Sequence, residues 1–400
     1  MANTTTEERI LSCIEEDSVV GFVREMVRRP SINPPGDYDA IADYAESLMR
    51  DLGLEDIQRS VGEAGRPNVI GVLRGAGPGP AFCLSSHMDV VDPGDLNAWR
   101  FPPFEAVVEE GFVWGRGSAD SKGMLAGMFE AVRAIQSSGV RLNGDLHLVA
   151  AVDDETAGRY GLRYPFEKNL VPARAAILGE ASNFNVPHVF KGRIWFELDV
   201  IGKSSHGAFP LDGVNAILKA CKLIPAIYDI QLGGHPRLGD DTISVGTIQG
   251  GSVVNVGAEK CTFAFDIRWA PPLTSQDIRA KVLEVADRIV SEDGDFRIGE
   301  IRANEERDPL EFGEETPLIQ AIRSAVRKVR GTESELIGWY SSGEVFHMHK
   351  NGNIDAGTLF GPGEPWQAHA INERIAIQDL VDGAKVYALS SLAMCGGEAG

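Results

Sequence analysis

Several short apolar runs in this chain lead directly into side chains that can bind a cation. AFCLSS runs into His87-Met88-Asp89, LHLVAAV into Asp153-Asp154-Glu155, and AAILG into Glu180. Asp120 stands in the Gly-rich segment GRGSADSKG, and His369 stands in GPGEPWQAHAINE, after the last apolar run, AGTLFG. His87, Asp120, Glu155, Glu180 and His369 together make a mixed nitrogen and oxygen donor set with no sulfur. Such a set suits a pair of divalent ions, zinc first, with manganese or cobalt as alternatives, rather than a structural thiolate zinc. A carboxylate shared by two ions fits metals roughly 3.5–4 Å apart, and such a pair can both activate water and polarise a carbonyl. One aspartate must serve both ions, and Asp120 is the candidate.

Each piece taken alone has a plainer explanation. A His-x-Asp after a strand is ordinarily a pair of structural polar groups, and Asp-Asp-Glu is ordinarily a solvated turn. Glu180 or Asp120 could cap a helix. What favours the metal reading is their joint occurrence at strand ends. Other histidines stay with plain readings: His147 as a core histidine inside an apolar strand, His188 and His235 as surface groups in Pro- and Gly-containing loops.

The elements that must position these groups follow from the hydrophobic pattern. Residues 6–28 and 38–52 have helical apolar spacing, with the turn-rich PSINPPG between them, so two helices precede the first strand. From Asn68 onward the texture changes to short apolar runs, as expected of strands covered on both faces. Leu125, Met128, Val132 and Ile135 recur at steps of three and four and form one stripe of a helix. The order of strand, loop, helix and strand defines an α/β catalytic domain with a mostly parallel sheet flanked by helices. In open sheets of that kind ligands bind beyond the carboxyl ends of the strands, where the metal-binding residues stand.

From about Val186 to Ile301 the pattern changes again. GRIWFELDVIG alternates, DGVNAILKACKLIPAIYDI is helical, TISVGTI and CTFAFDIRW alternate, SQDIRAKVLEVADRIVSE is helical, and a short strand near FRIGEI completes β-α-β-β-α-β. The expected organisation is therefore a catalytic domain of residues 1–185 and 302–400, interrupted by an α+β ferredoxin-like lid and dimerisation domain of residues 186–301. The acidic run Glu305-Glu306-Arg307-Asp308 reads as a solvated connector.

Composition excludes some functions. With 400 residues and 43% hydrophobic content the chain can bury a large core, and its length favours two domains. A formal charge of −20 argues against nucleic acid as a partner. The five cysteines have no CxxC spacing and read as reduced, mostly packed thiols. The acidic N-terminal stretch MANTTTEERILSCIEEDSV has no uninterrupted apolar run, so neither a signal peptide nor a membrane span is expected, and the cytoplasm is the expected compartment.

These residues also resemble a known family, the dinuclear zinc hydrolases that include aminoacylases, acetylornithine deacetylases, succinyl-diaminopimelate desuccinylases and glutamate carboxypeptidases. The similarity runs through RPSINPPGD, RPNVIGVLRG, SSHMDVVDPGD, WRFPPFEAVVEEGFVWGRGSADSKGMLAG, VDDETAGRYG, LGEAS, GKSSHGAFP, GGSVVNV, FDIRW and FGPGEPWQAHAINE. SHMDVV and GRGSADSKG, in this order, are its most specific segments. The resemblance implies that His87 and Glu180 hold one metal, that Glu155 and His369 hold the other, and that Asp120 bridges them. It also implies a cis peptide after Asp120 and an orienting role for Asp89 behind His87. His206 matches a histidine that relatives deliver into the neighbouring subunit's active site, which implies a homodimer formed through the insert. Arg268 and Asn255 match positions that meet the substrate carboxylate or the developing oxyanion.

Two departures from the family pattern stand out. Where relatives read Asp-Glu-Glu this chain reads Asp153-Asp154-Glu155, so the general base position is held by Asp154, one methylene shorter. SSGEVFHM, containing Gly343, replaces a common Ser-Gly-Gly-Thr-Asp in a substrate-binding loop. The implied function is hydrolysis of the amide C–N bond of a small molecule, an N-acyl amino acid or dipeptide with a free carboxylate. Two alternatives stay open, a hydrolytic deaminase of a small or aromatic amino acid on the same site and a catalytically inert metal-binding module.

Overall fold

The apolar runs become the strands of one sheet. In the computed structural model, which describes residues 5–63, 65–156, 160–352 and 354–399, six strands lie in the order Glu55–Val61, Pro67–Leu73, Leu146–Ala151, Phe82–His87, Ala175–Leu178 and Ala356–Leu359. The last four are mutually parallel, Pro67–Leu73 is joined to them antiparallel, and Glu55–Val61 pairs antiparallel with Pro67–Leu73. Every residue of Phe82–His87 and of Leu146–Ala151 is buried, which is why neither run alternates in polarity.

The helical stripe forms the helix Lys122–Ser137, which packs against Phe82–His87 and against the long helix Ile377–Cys395. Its start lies very close to the sheet. A Cβ on Gly179 would stand 2.7 Å from Met124 Cβ and 2.9 Å from Ser86 Cβ, so only glycine lets the strand end before Glu180 pass there. The Asp120–Ser121 peptide just before this helix is cis.

The N-terminal segment differs from the expectation of one helix over 6–28. It forms Thr6–Leu11 and Glu16–Val27. The break is held from the helix Lys122–Ser137: Arg133 donates to the Cys13 carbonyl, and the Glu15 N–H donates to Glu130 Oε1 at 2.7 Å. Those side chains satisfy backbone groups that a continuous helix would pair internally.

The chain divides into two units, Met1–His188 with Phe312–Leu336 and Gly343–Gly400, and Val189–Glu311 with Ile337–Ser342. The second unit has its own sheet, in the antiparallel order Thr242–Gly250, Lys260–Trp269, Gly192–Ile201 and Arg297–Arg307. Alternate residues of Lys260–Trp269 are buried, and Phe263, Phe265, Ile267 and Trp269 form a core with Leu223 and Ile227 of one helix and Ile278 and Val282 of another. Thr242–Gly250 is an exposed edge strand.

The unit extends past the expected boundary at 301 because its last strand is longer than FRIGEI suggests. Arg193 pairs with Arg307 across the sheet, and Ser275 N–H donates to Asp308 Oδ1 at 2.6 Å. Glu305 to Arg307 are therefore strand residues rather than a solvated connector. His188 is also not a surface group: it is buried in the strand Val186–Phe190, with Nδ1 3.0 Å from the Phe312 carbonyl oxygen. His147 is buried in Leu146–Ala151.

Candidate metal centre

At the carboxyl ends of the parallel strands, residues far apart in sequence meet. His87 ends its strand with Nε2 3.1 Å from Asp120 Oδ1 and 3.5 Å from Glu180 Oε1. His369 places Nε2 3.0 Å from Glu155 Oε2 and 3.3 Å from Asp120 Oδ2. The two oxygens of Asp120 thus face different histidines, the arrangement a bridging carboxylate requires. Donor atoms of His87, Asp120 and Glu155 lie within 4.8 Å of one another, and so do those of His87, Asp154 and Glu180. Asp154 thus belongs to this cluster.

The histidine ring is aimed from behind. His87 Nδ1 lies 3.0 Å from the main-chain oxygen of Asp89 and 3.5 Å from its carboxylate, which leaves Nε2 to face the carboxylates. The Asp89 carboxylate also receives the N–H groups of Asp154, at 3.3 Å, and of Glu155, at 3.1 Å. It therefore holds the turn Asp154–Thr156 as well as the ring.

The electrostatics of the cluster favour bound cations. Burial pushes the Asp154 carboxyl up to about 6, with Asp89, Glu155 and Asp120 adding to the rise and His87 opposing it. Burial likewise raises Glu180 well above the carboxylate range, reinforced by Asp120, Asp154 and Glu155. Burial favours neutral His87, but its bonds to Asp120 and Asp89 and the charge of Glu180 prevail and hold its pKa well above the ordinary value. Glu155 Oε1 is buried with no hydrogen-bond partner. Crowded carboxylates and an orphaned acceptor are what cations would neutralise, and Asp120, Asp154, Glu155 and Glu180 would match the charge of two divalent ions. The donor set fits the metals that the sequence implies.

Some supporting residues stand in the sequence motifs without an evident role there. Asn33, from PSINPPGD, donates to Asp89 Oδ2 at 2.9 Å, to Thr156 Oγ1 at 2.9 Å and to Asp153 Oδ1 at 3.3 Å. Arg66 pairs with Asp153. Glu373, from HAINE, pairs with Arg116 at 2.6 Å. Burial pushes Glu373 up to about 7 against the pull of Arg116. The only sequence signal for them is a polar residue inside a metal-ligand motif.

The remaining candidates lie elsewhere. Gly343 sits in a turn of the first unit with φ +49° and open space where a Cβ would be. His206, Asn255 and Arg268 belong to the second unit. His206 and Asn255 are exposed neighbours: the Gly207 N–H donates to the Asn255 carbonyl at 2.8 Å, and His206 bridges to Val256. Arg268 lies on the strand Lys260–Trp269 with Nε 2.9 Å from Asp266 Oδ2 and Nη1 3.3 Å from the Tyr340 carbonyl oxygen.

Residues 83–392 match peptidase family M20/M25/M40, and the chain belongs to that family and is a metal-dependent hydrolase. It is 26% identical over 397 residues to a probable succinyl-diaminopimelate desuccinylase of Staphylococcus epidermidis, covering 91% of this chain and 95% of that one. It is 26% identical over 369 residues to an acetylornithine deacetylase of Photorhabdus laumondii, covering 89% and 92%. Its fold is similar to that of the Bacillus subtilis YXEP protein, described as a dinuclear metal-binding peptidase of the M20 family. That match has a TM-score of 0.72 and 14% identity over 95% of this chain and 98% of the other.

Proposed function

We propose that this chain holds two divalent ions, zinc first with manganese or cobalt as alternatives, and hydrolyses the amide C–N bond of an N-acyl amino acid or dipeptide with a free carboxylate. The observation that carries this reading is the Asp120 carboxylate, with one oxygen toward His87 and the other toward His369. His87 and Glu180 would hold one ion and Glu155 and His369 the other, with Asp120 shared. The pair supplies Lewis-acid polarisation of the amide carbonyl and a water nucleophile available at neutral pH. The Bacillus subtilis neighbour's description as dinuclear supports the stoichiometry, and the desuccinylase and deacetylase relatives support the bond cleaved.

The chain's own residues do the rest. Asp154, in reach of the donor cluster, accepts the proton of the attacking water and returns it to the leaving amine nitrogen. Asp89 keeps the His87 ring aimed. Arg268 takes the substrate carboxylate through aligned guanidinium donors. His206, with Asn255 beside it, supplies hydrogen-bond donors to the developing oxyanion. The second unit would pair with a second copy of the chain, and its exposed edge strand Thr242–Gly250 has the unpaired backbone groups such an interface uses. The small-molecule substrate and a cytoplasmic location belong to the same proposal. No helix among the described residues is long and apolar enough to cross a membrane.

A panel of N-acetyl and N-succinyl amino acids, dipeptides and aromatic amines, each assayed with Zn²⁺, Mn²⁺ and Co²⁺, tests the reading. Released carboxylic acid together with free amino acid, or two amino acids from a dipeptide, is the expected result. Ammonia as the product that accumulates would overturn the amide reading in favour of deamination, and no turnover on any substrate would favour an inert module.

A further inference from the structure

Arg116 and Glu373 form an ion pair that touches no substrate group and supplies no ligand in the reading above, yet both are buried, with Glu373 fully enclosed. The bonds they make are directed at the metal centre. Glu373 Oε2 accepts the N–H of Gly117 at 3.0 Å, while Oε1 accepts the N–H of Ala119 at 2.8 Å and of Asp120 at 3.0 Å. One carboxylate therefore gathers backbone donors of the loop that presents Asp120. Arg116 Nη2 in turn donates to the main-chain carbonyl of His369 at 3.2 Å. His369 has φ +61°, a left-handed conformation uncommon for residues other than glycine, and its carbonyl is tethered by that guanidinium.

Stability alone is a poor reason for such a pair. Removing two charges from water costs about what their mutual attraction returns, so a buried ion pair is weak evidence for a stabilising role. Direction is what this pair supplies. It joins loops 253 residues apart in sequence, one bearing Asp120 and one bearing His369. The atoms those residues present to each other, Asp120 Oδ2 and His369 Nε2, are 3.3 Å apart.

We propose that Arg116 and Glu373 are positioning residues that act as one clamp, setting the separation of Asp120 and His369 and thereby the retention of the second ion, the one also held by Glu155. This rests on the two-ion reading. Groups that orient metal ligands typically change affinity by about 10–100-fold when altered. The ion held by His87 and Glu180 would be less affected, because it meets the clamp through Asp120 alone, whereas the second ion meets it through both Asp120 and His369.

The test is zinc titration of metal-free wild type, Glu373→Gln, Arg116→Lys and a control, Arg133→Lys, with thermal melting read alongside. Glu373→Gln turns an NH₂ group toward backbone donors or toward Arg116, and Arg116→Lys keeps the charge but loses the fork that reaches both Glu373 and His369. Arg133→Lys weakens a different ion pair, to buried Glu130. Expected are two equivalents in wild type, a second equivalent weakened about 10–100-fold in both clamp variants, and wild-type affinities in the control even where its melting temperature falls. Cobalt titration should show the visible spectrum of the second equivalent altered and that of the first retained. Wild-type affinity for both ions in the clamp variants, equal loss of both, or failure of both variants to fold would overturn the proposal. Fewer than two equivalents in wild type would instead remove the two-ion reading, and the clamp with it.

Discussion

The main-chain N–H of Glu155 donates to Asp89 Oδ2 at 3.1 Å, so the residue behind the first histidine also fixes the turn that carries two other site carboxylates. Replacing that carboxylate by an amide turns one of its acceptors into a donor facing an N–H group. Asp89→Asn should therefore weaken metal binding by about 10–100-fold, measured by competition with a chromophoric chelator. Unchanged affinity would mean that the main-chain oxygen of residue 89 alone orients His87.

Asp154→Ala should lower kcat by about 10²–10⁴-fold, the usual contribution of a positioned general base, while both metal equivalents are retained. The sign of the pH effect follows from its role: the base works deprotonated, so kcat/KM should rise with pH along an acid limb. Burial places the carboxyl at about 6, and bound cations would draw it lower, so the limb should lie at or below about 6. Its persistence in Asp154→Ala would assign it to another group.

His147 gives a pH effect far from the chemistry. Burial lowers its pKa from 6.5 to about 4, so the unfolded chain binds this proton more readily than the folded one. Stability from this group is fully present above pH 6.5 and is lost as pH falls toward 4, amounting to about 2 kcal/mol between pH 7 and pH 5. Urea unfolding of metal-free wild type and His147→Leu at those two pH values checks it. The drop in stability should be smaller in the variant by about that amount, and equal drops would contradict the assignment.

Much of the candidate centre was legible because His87, Glu155 and Glu180 come at the ends of buried apolar runs, and the parallel sheet gathers strand ends at one edge. Asn33, Arg116 and Glu373 could not be assigned in advance. Their roles depend on contacts across 56 residues for Asn33 with Asp89 and 257 residues for Arg116 with Glu373, which no local periodicity encodes. The same holds for the helix break near Cys13, made by Arg133 and Glu130 from another helix. His188 looked exposed because Pro187 precedes it, but a strand partner buries it. The boundary at 301 fell short because Glu305 and Glu306 are charged strand residues, and charge in a strand's exposed positions resembles a linker.

Arg268→Lys should raise KM for substrates with a free carboxylate by about tenfold, the order expected when a fork of aligned donors becomes a point charge. Amidated analogues of the same substrates should lose this discrimination between wild type and variant. An equal rise in KM for both would place Arg268 in the architecture around Asp266 and Tyr340 rather than in carboxylate recognition.

Crystals of the zinc-loaded protein, measured on both sides of the zinc absorption edge, test the central claim most directly. The account predicts two anomalous peaks roughly 3.5–4 Å apart, one between His87 and Glu180 and one between Glu155 and His369, with Asp120 touching both. A single peak, or peaks away from these side chains, would contradict it.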